Sequence, residues 1–156
     1  MRFAFALSLM LATAASVATL AVASPSRNTC TAGISKIGGF PAHTFCGPAK
    51  ATVRVGGKTL TFSGGMCAIS QGFWTVNIGT IELGQSKKTK SYFGLALLKP
   101  SHADGSYSRV GFAFNIPGKS WAVSGGKLTL SKGGKAASFS GMLLLSSTRV
   151  TGSVTC

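Results

Sequence analysis

Few residues in this chain could carry acid–base chemistry. Glu82 and Asp104 are its two carboxylic side chains, and they lie far apart in the sequence. General acid–base catalysis by carboxylates needs a pair of them at one bond, so a site made from these two would require a coincidence of folding. We expect Asp104 instead to accept hydrogen bonds from backbone N–H groups in its own turn, His102-Ala103-Asp104-Gly105.

Patterns for nucleophilic catalysis and for phosphate binding are incomplete. A Ser/His/Asp triad could be assembled with His102 and Asp104, but these two share one turn and no G-x-S-x-G elbow occurs. Gly57-Lys58-Thr59 and Gly118-Lys119-Ser120 resemble the end of a P-loop, but the glycine that opens that motif is replaced in both. The sequence therefore predicts a protein that is not an enzyme and that uses no cofactor.

The cysteines are the next candidates for chemistry. There are four, Cys30, Cys46, Cys67 and Cys156. An even number in an exported chain favours two disulfides over a metal site or a nucleophile, and no C-x-x-C spacing supports a metal. Three pairings are possible. We favour Cys30–Cys46 as a short clasp and Cys67–Cys156 as a long tie, worth ~3 and ~4–5 kcal/mol by chain entropy.

The charge is the most unusual feature of the composition. Sixteen Lys and Arg residues stand against two acids, which gives a formal net charge of +14. Such a field attracts polyanions with steep salt dependence, so the predicted partners are an anionic cell-wall polymer, nucleic acid or an acidic lipid surface. The alternative is that the charge only keeps the domain soluble. The candidate anion-binding residues are Lys87, Lys88 and Lys90 in one dense run, and Lys58, Lys127, Lys132 and Lys135 beside Gly-Gly pairs.

The elements that must position these residues are predicted to be strands. From Ala51 onward apolar and polar residues alternate with a period of two. A two-residue hairpin at Gly56-Gly57 would pair Val53 with Leu60 and Ala51 with Phe62, which places both apolar sets on one face. Further strands are predicted near Cys67–Ile69, Phe73–Ile78, Tyr92–Leu98, Val110–Ile116, Leu143–Leu145 and Val150–Cys156. The pattern favours an all-β fold: a small antiparallel β-sandwich, or a partly open barrel, with disulfides.

Two more glycine pairs predict a three-stranded meander. Hairpins at Gly125-Gly126 and Gly133-Gly134 would pair Val123 with Leu128 and Leu130 with Ala137. One face of the meander would then be apolar, comprising Trp121, Val123, Leu128, Leu130, Ala137 and Phe139.

The chain divides into three segments. Residues 1–23 have a basic start, an apolar stretch and a small-x-small site at Ala21-Val22-Ala23, as a signal peptide does. A retained membrane anchor is the alternative, because about 20 apolar residues can span a bilayer. Residues 24–50 are rich in Gly, Pro, Ser and Thr and predict an irregular lead-in pinned by a disulfide. Residues 51–156 would form the β domain.

The segments VRVGGKTLTFSGGMC at Val53–Cys67 and GSVTC at Gly152–Cys156 resemble a known family of small secreted actinobacterial proteins, the mycobacterial 19 kDa lipoprotein-antigen group. The resemblance implies a bacterial envelope β-sandwich with Cys67 bonded to Cys156. Members of that family carry a lipobox cysteine, which this chain lacks, so surface anchoring does not transfer. The family brings no catalytic residues.

These observations predict a non-enzymatic secreted or cell-envelope protein that serves as a basic binding module for anionic polymers or surfaces. A structural or antigen-like envelope protein without a specific ligand is one alternative. A carrier of an apolar ligand is another. No specific small-molecule substrate is implied, and the oligomeric state is left open.

Overall fold

A computed structural model describes residues 30–84, 87–97, 99 and 101–156 of the chain, so the predicted signal peptide lies outside the described residues. Within those ranges the chain forms ten strands. They are β1 Gly33–Ile37, β2 Phe40–Phe45, β3 Ala49–Val55, β4 Lys58–Ser70, β5 Phe73–Glu82, β6 Tyr92–Ala96, β7 Gly105–Ile116, β8 Lys119–Ser131, β9 Ala136–Met142 and β10 Arg149–Thr155.

The sheet is an antiparallel meander that closes on itself. Each strand from β3 to β10 pairs with the next one, and β10 returns to pair with β3. Eight strands thus form an up-and-down barrel. The hairpin β1–β2 lies outside this ring and is joined to it by pairing of β2 with the end of β5. The predicted all-β, antiparallel fold is confirmed, with the sheet curled into a barrel.

The register confirms the first predicted hairpin. Val53 pairs with Leu60 and Ala51 with Phe62 across the turn at Gly56-Gly57. At Gly133-Gly134 Leu128 pairs with Phe139 and Leu130 with Ala137, again as expected. The glycines in these turns have positive φ, which a side chain would disfavour.

The predicted hairpin at Gly125-Gly126 is wrong. Strand β8 runs straight through both glycines, and the four residues from Val123 to Gly126 oppose the three from Val110 to Phe112 on β7, so Gly125 (φ 72°) sits in a bulge. Gly126 is needed for close packing, because a Cβ there would meet the carbonyl oxygen of Ser140 at 2.9 Å. Val123 and Leu128 are five positions apart, so a regular strand would turn them to opposite faces. The extra residue of the bulge reverses the alternation between them, and both face the interior.

Two other expectations are corrected. The lead-in predicted to be irregular contains the strands β1 and β2. They were missed because most of β1 is exposed, so its sequence shows no alternation of apolar and polar residues. The strand predicted at Leu143–Leu145 is a turn: Leu143 makes one isolated bridge, and Leu145 is fully exposed with φ 62°. The other predicted strands coincide with β4, β5, β6, β7 and β10. Two of them end earlier than predicted, β6 at Ala96 and β10 at Thr155, and Leu98 is outside the described residues.

The barrel interior is filled by side chains. Five phenylalanines from four strands form a continuous aromatic cluster, with ring centroids 4.9 Å apart for Phe112 and Phe139 and 5.4 Å for Phe93 and Phe139. Aliphatic residues on alternate positions of the strands complete the packing. The buried set also includes Val53, Trp74, Val76, Ile78, Val110, Leu128, Leu130, Val150 and Val154.

Both favoured disulfides are present. Cys30 is bonded to Cys46 and clasps the β1–β2 hairpin, and Cys67 is bonded to Cys156 across the barrel wall. Two disulfides within one chain are compatible with an extracellular or otherwise oxidising location. Among the described residues, no helix has the length and apolar character needed to cross a membrane.

Candidate anion-binding surface

The meander sorts its connections between the two ends of the barrel. The turns Gly56-Gly57 and Pro117-Gly118 lie at one end, together with the loop from β5 to β6 and the loop from β9 to β10. We call this the upper end. The turn Gln71-Gly72, the β6–β7 connection and the β8–β9 turn lie at the opposite, lower end. Successive connections of the ring alternate between the two ends, so the place of a connection in the strand order tells at which end its charged residues lie.

The structure brings together only some of the predicted lysines. Lys58, Lys87, Lys88 and Lys90 are at the upper end, on the β3–β4 turn and the β5–β6 loop. Lys132 and Lys135 flank the β8–β9 turn at the lower end, and Lys127 lies in the middle of β8. Two further cations, Lys119 and Arg149, begin β8 and β10 at the upper end. All of these side chains are exposed except that of Lys88, which is half-buried.

A cavity of about 250 Å³ opens among the upper-end turns. Its walls are the apolar side chains of Val55, Leu60, Ile116, Trp121 and Leu143. Lys58 and Lys119 line it as well, so two lysines from different turns border one apolar depression. The site can therefore attract an anion and contact an apolar group beside it.

Lys88 is held by the protein's own backbone and does not project freely. Its Nζ donates a 2.6 Å hydrogen bond to the main-chain oxygen of Glu82. The main-chain oxygen of Lys88 in turn accepts a bond from the N–H of Gly118 at 2.9 Å, which ties the β5–β6 loop to the turn before Lys119. Lys88 thus positions the loop, and Lys87 and Lys90 are the members of the run that remain exposed.

Glu82 is a buried carboxylate that organises the same loop. It is 1% exposed, at the end of β5. Oε2 accepts hydrogen bonds from the backbone N–H of Thr89 at 2.6 Å and of Lys90 at 3.0 Å, and Oε1 accepts one from the Thr89 hydroxyl at 2.6 Å. The side-chain amide of Asn115 donates to the main-chain oxygen of Lys90 from the neighbouring β7. The carboxylate is fully engaged in holding the loop.

Opposing effects set the pKa of Glu82. Burial, the largest, would raise the pKa of this carboxyl group. Two kinds of interaction lower it: the hydrogen bonds donated by Thr89 and by the Lys90 N–H, and the positive charge of Lys88. Their combined effect is larger than that of burial, so the pKa lies below its ordinary value of 4.5. Glu82 is therefore ionised at neutral pH and does not act as a proton donor there.

Asp104 also binds backbone, but not in its own turn as expected. Its two carboxylate oxygens accept hydrogen bonds from the N–H groups of Gly133 and Gly134, each at 2.9 Å. The indole N–H of Trp74 donates to the main-chain oxygen of Gly134 at 2.9 Å. Asp104 and Trp74 together fix the β8–β9 turn, so the second acid of the chain is structural too.

The histidines have separate surroundings. His43 stacks on Phe45 with ring centroids 4.4 Å apart, whereas His102 is exposed in the β6–β7 connection. In the part of the chain that the structure describes, no group of three or more His, Cys, Asp or Glu side chains is placed to hold a metal ion.

Sequence reasoning missed Lys119 and Arg149 as members of the upper-end surface. The signal that could have found them is the parity of a meander, because every second connection lies at the same end. Comparison of the chain with protein-family models, with curated proteins and with solved structures gives no match.

Proposed function

We propose that the protein is a non-catalytic, exported binding module that holds anionic polymers or surfaces through the upper end of its barrel. The observation that carries this proposal is that Lys58, Lys119 and the exposed Lys87 and Lys90 all lie at that end. Among the described residues, the acid at the same end is Glu82, and its side chain is buried. Such an arrangement concentrates positive potential on one outward surface.

The placement of the acids supports a non-catalytic role. Both carboxylates accept hydrogen bonds from backbone N–H groups, Glu82 from the β5–β6 loop and Asp104 from the β8–β9 turn. A general acid or base must be free to exchange a proton with a substrate, and neither group is free in this way. The disulfides support export, since they persist in oxidising compartments.

Two variants of equal net charge test the proposal. Lys58→Gln/Lys119→Gln removes two upper-end cations, and Lys132→Gln/Lys135→Gln removes two lower-end cations. We expect the first to elute from a heparin column at clearly lower salt than the wild type and the second to elute close to it, because binding depends on local potential. Equal losses in the two variants would show that retention follows net charge alone and would contradict a defined surface.

A further inference from the structure

Exposed apolar side chains gather at the same end as the cations. Of the eight large apolar side chains exposed in the described ranges, five lie at the upper end. Leu144 and Leu145 are in the β9–β10 loop, Leu83 follows β5, Phe40 begins β2 and Met142 ends β9. A soluble surface has little reason to expose leucines in clusters, and such clusters rimmed by charge mark interaction sites.

Leu145 has neither a packing nor a backbone reason to be leucine. Its side chain is fully exposed, at 107% of the reference area, and its φ is 62°. That region of backbone conformation disfavours residues with a Cβ and favours glycine or asparagine. A strained, solvated leucine at a loop tip is stable only because the surrounding structure holds it, and such positions cluster at functional sites.

The leucine loop and the lysines form one surface. The N–H of Leu144 donates to the main-chain oxygen of Ala122 at 2.9 Å, which folds the loop over β8. Leu143 and Thr148, which flank the loop tip, line the same cavity as Lys58 and Lys119. The apolar loop therefore adjoins lysines of two other turns, and an anionic bilayer offers the complement of both, with phosphates at its surface and hydrocarbon beneath.

We propose that the upper end docks on anionic lipid bilayers, with Leu144 and Leu145 entering the headgroup region and Lys58, Lys119 and Arg149 contacting lipid phosphates. This inference rests on the proposed function and names its partner. A polyanion such as nucleic acid would use the lysines but would gain nothing from the leucines. The leucines therefore decide between a bilayer and a polymer.

The test compares vesicle binding by apolar variants. Phosphatidylcholine vesicles with and without phosphatidylglycerol are sedimented with the purified, oxidised protein at about 0.15 M ionic strength. We expect the wild type to bind only the anionic vesicles, and Leu144→Ser/Leu145→Gly to bind them at least about 10-fold more weakly. Since glycine suits the backbone at position 145, this variant should be no less stable than the wild type.

The matched control is Met66→Ser/Ile69→Ser, which removes two exposed apolar side chains, 41% and 58% exposed, from the part of β4 that runs toward the lower end. It should bind vesicles as the wild type does. As an independent measurement, the fluorescence of Leu145→Trp should shift to shorter wavelength on addition of anionic vesicles, whereas that of Ile69→Trp should not. Equal vesicle binding by the leucine variant and the wild type, or an unshifted Leu145→Trp, would overturn the inference.

Heparin separates this inference from the proposed function. The leucine variant should keep wild-type retention on heparin, because the lysines are intact. Retention on heparin that depends on Lys58 and Lys119, without vesicle binding that depends on the leucines, identifies an anionic polymer as the partner and leaves the proposed function standing. A wild-type protein that binds neither heparin nor anionic vesicles would contradict both proposals.

Discussion

At the scale of single residues, the two carboxylates are used as backbone acceptors. Asp104 joins two separate connections at the lower end, and Glu82 organises the loop that carries Lys87, Lys88 and Lys90 at the upper end. A hydrogen bond to an ionised group is stronger than one between neutral groups, so each acid stabilises a loop that strand packing alone does not hold. The sequence could identify both acids as scarce, but their partners depend on tertiary contacts.

The lowered pKa of Glu82 predicts acid sensitivity. A carboxyl group with a lower pKa in the folded than in the unfolded state contributes stability above the ordinary pKa of 4.5, and this contribution is lost as the pH falls through the folded-state value. Glu82→Gln should cost about 1–3 kcal/mol at pH 7 and lose less further stability below pH about 4.5 than the wild type. Thermal unfolding measured as a function of pH checks both expectations.

The control for this experiment is Asp104→Asn, which removes the other acid and leaves the Glu82 network in place. This variant should retain the acid-dependent step of the wild type that is assigned to Glu82. A Glu82→Gln variant whose stability falls with pH as steeply as that of the wild type would show that the buried carboxylate does not govern the acid response.

At the scale of elements, the sequence predicts faces better than connections. Val123 and Leu128 face the interior as expected, although the hairpin expected between them does not exist. A two-residue hairpin and a bulge both put positions 123 and 128 on one face, so alternation alone cannot distinguish them. The Gly56-Gly57 and Gly133-Gly134 hairpins were predicted correctly from the same kind of pattern.

Close approach of strands predicts that Gly152 in β10 cannot be replaced. An added Cβ would overlap the carbonyl oxygen of Thr52 on β3 and the ring of Phe139 on β9. Because both neighbours belong to packed strands, Gly152→Ala should destabilise the protein by about 1–3 kcal/mol in urea unfolding. Ser153→Ala, at the exposed neighbouring position, should change stability by less than about 0.5 kcal/mol. Similar stability of the two variants would contradict this packing.

At the scale of the whole molecule, the +14 charge, the four cysteines and the period-two alternation predicted a basic, disulfide-bonded β protein, and the observed strands and disulfides agree. The composition could not show that Lys58 and Lys135 lie at opposite ends, because that depends on the number of connections between them. The exposed Leu145 was predicted to lie in a strand, since an apolar run is typical of buried strands and a strained loop tip has no local signal.

The two disulfides should differ in their effect on stability. Cys67–Cys156 closes a loop with a sequence separation of 89 and lies in the barrel wall, whereas Cys30–Cys46 has a separation of 16 and clasps a hairpin outside it. Replacing both cysteines of the first pair by serine should cost about 4–5 kcal/mol, and of the second about 3 kcal/mol or less. Urea unfolding followed by near-UV circular dichroism measures both, and a larger loss from the second pair would contradict this order.

The pairing of β3 with β10 has a consequence for how the chain acquires its shape during synthesis. The first strand of the ring is made before all the others, and its partner along one side is made last. Until β10 arrives, β3 presents a row of unpaired N–H and C=O groups, which can template association with a neighbouring nascent chain. The yield of correctly formed protein should therefore depend on how quickly the final strand follows, and on how crowded the emerging chains are.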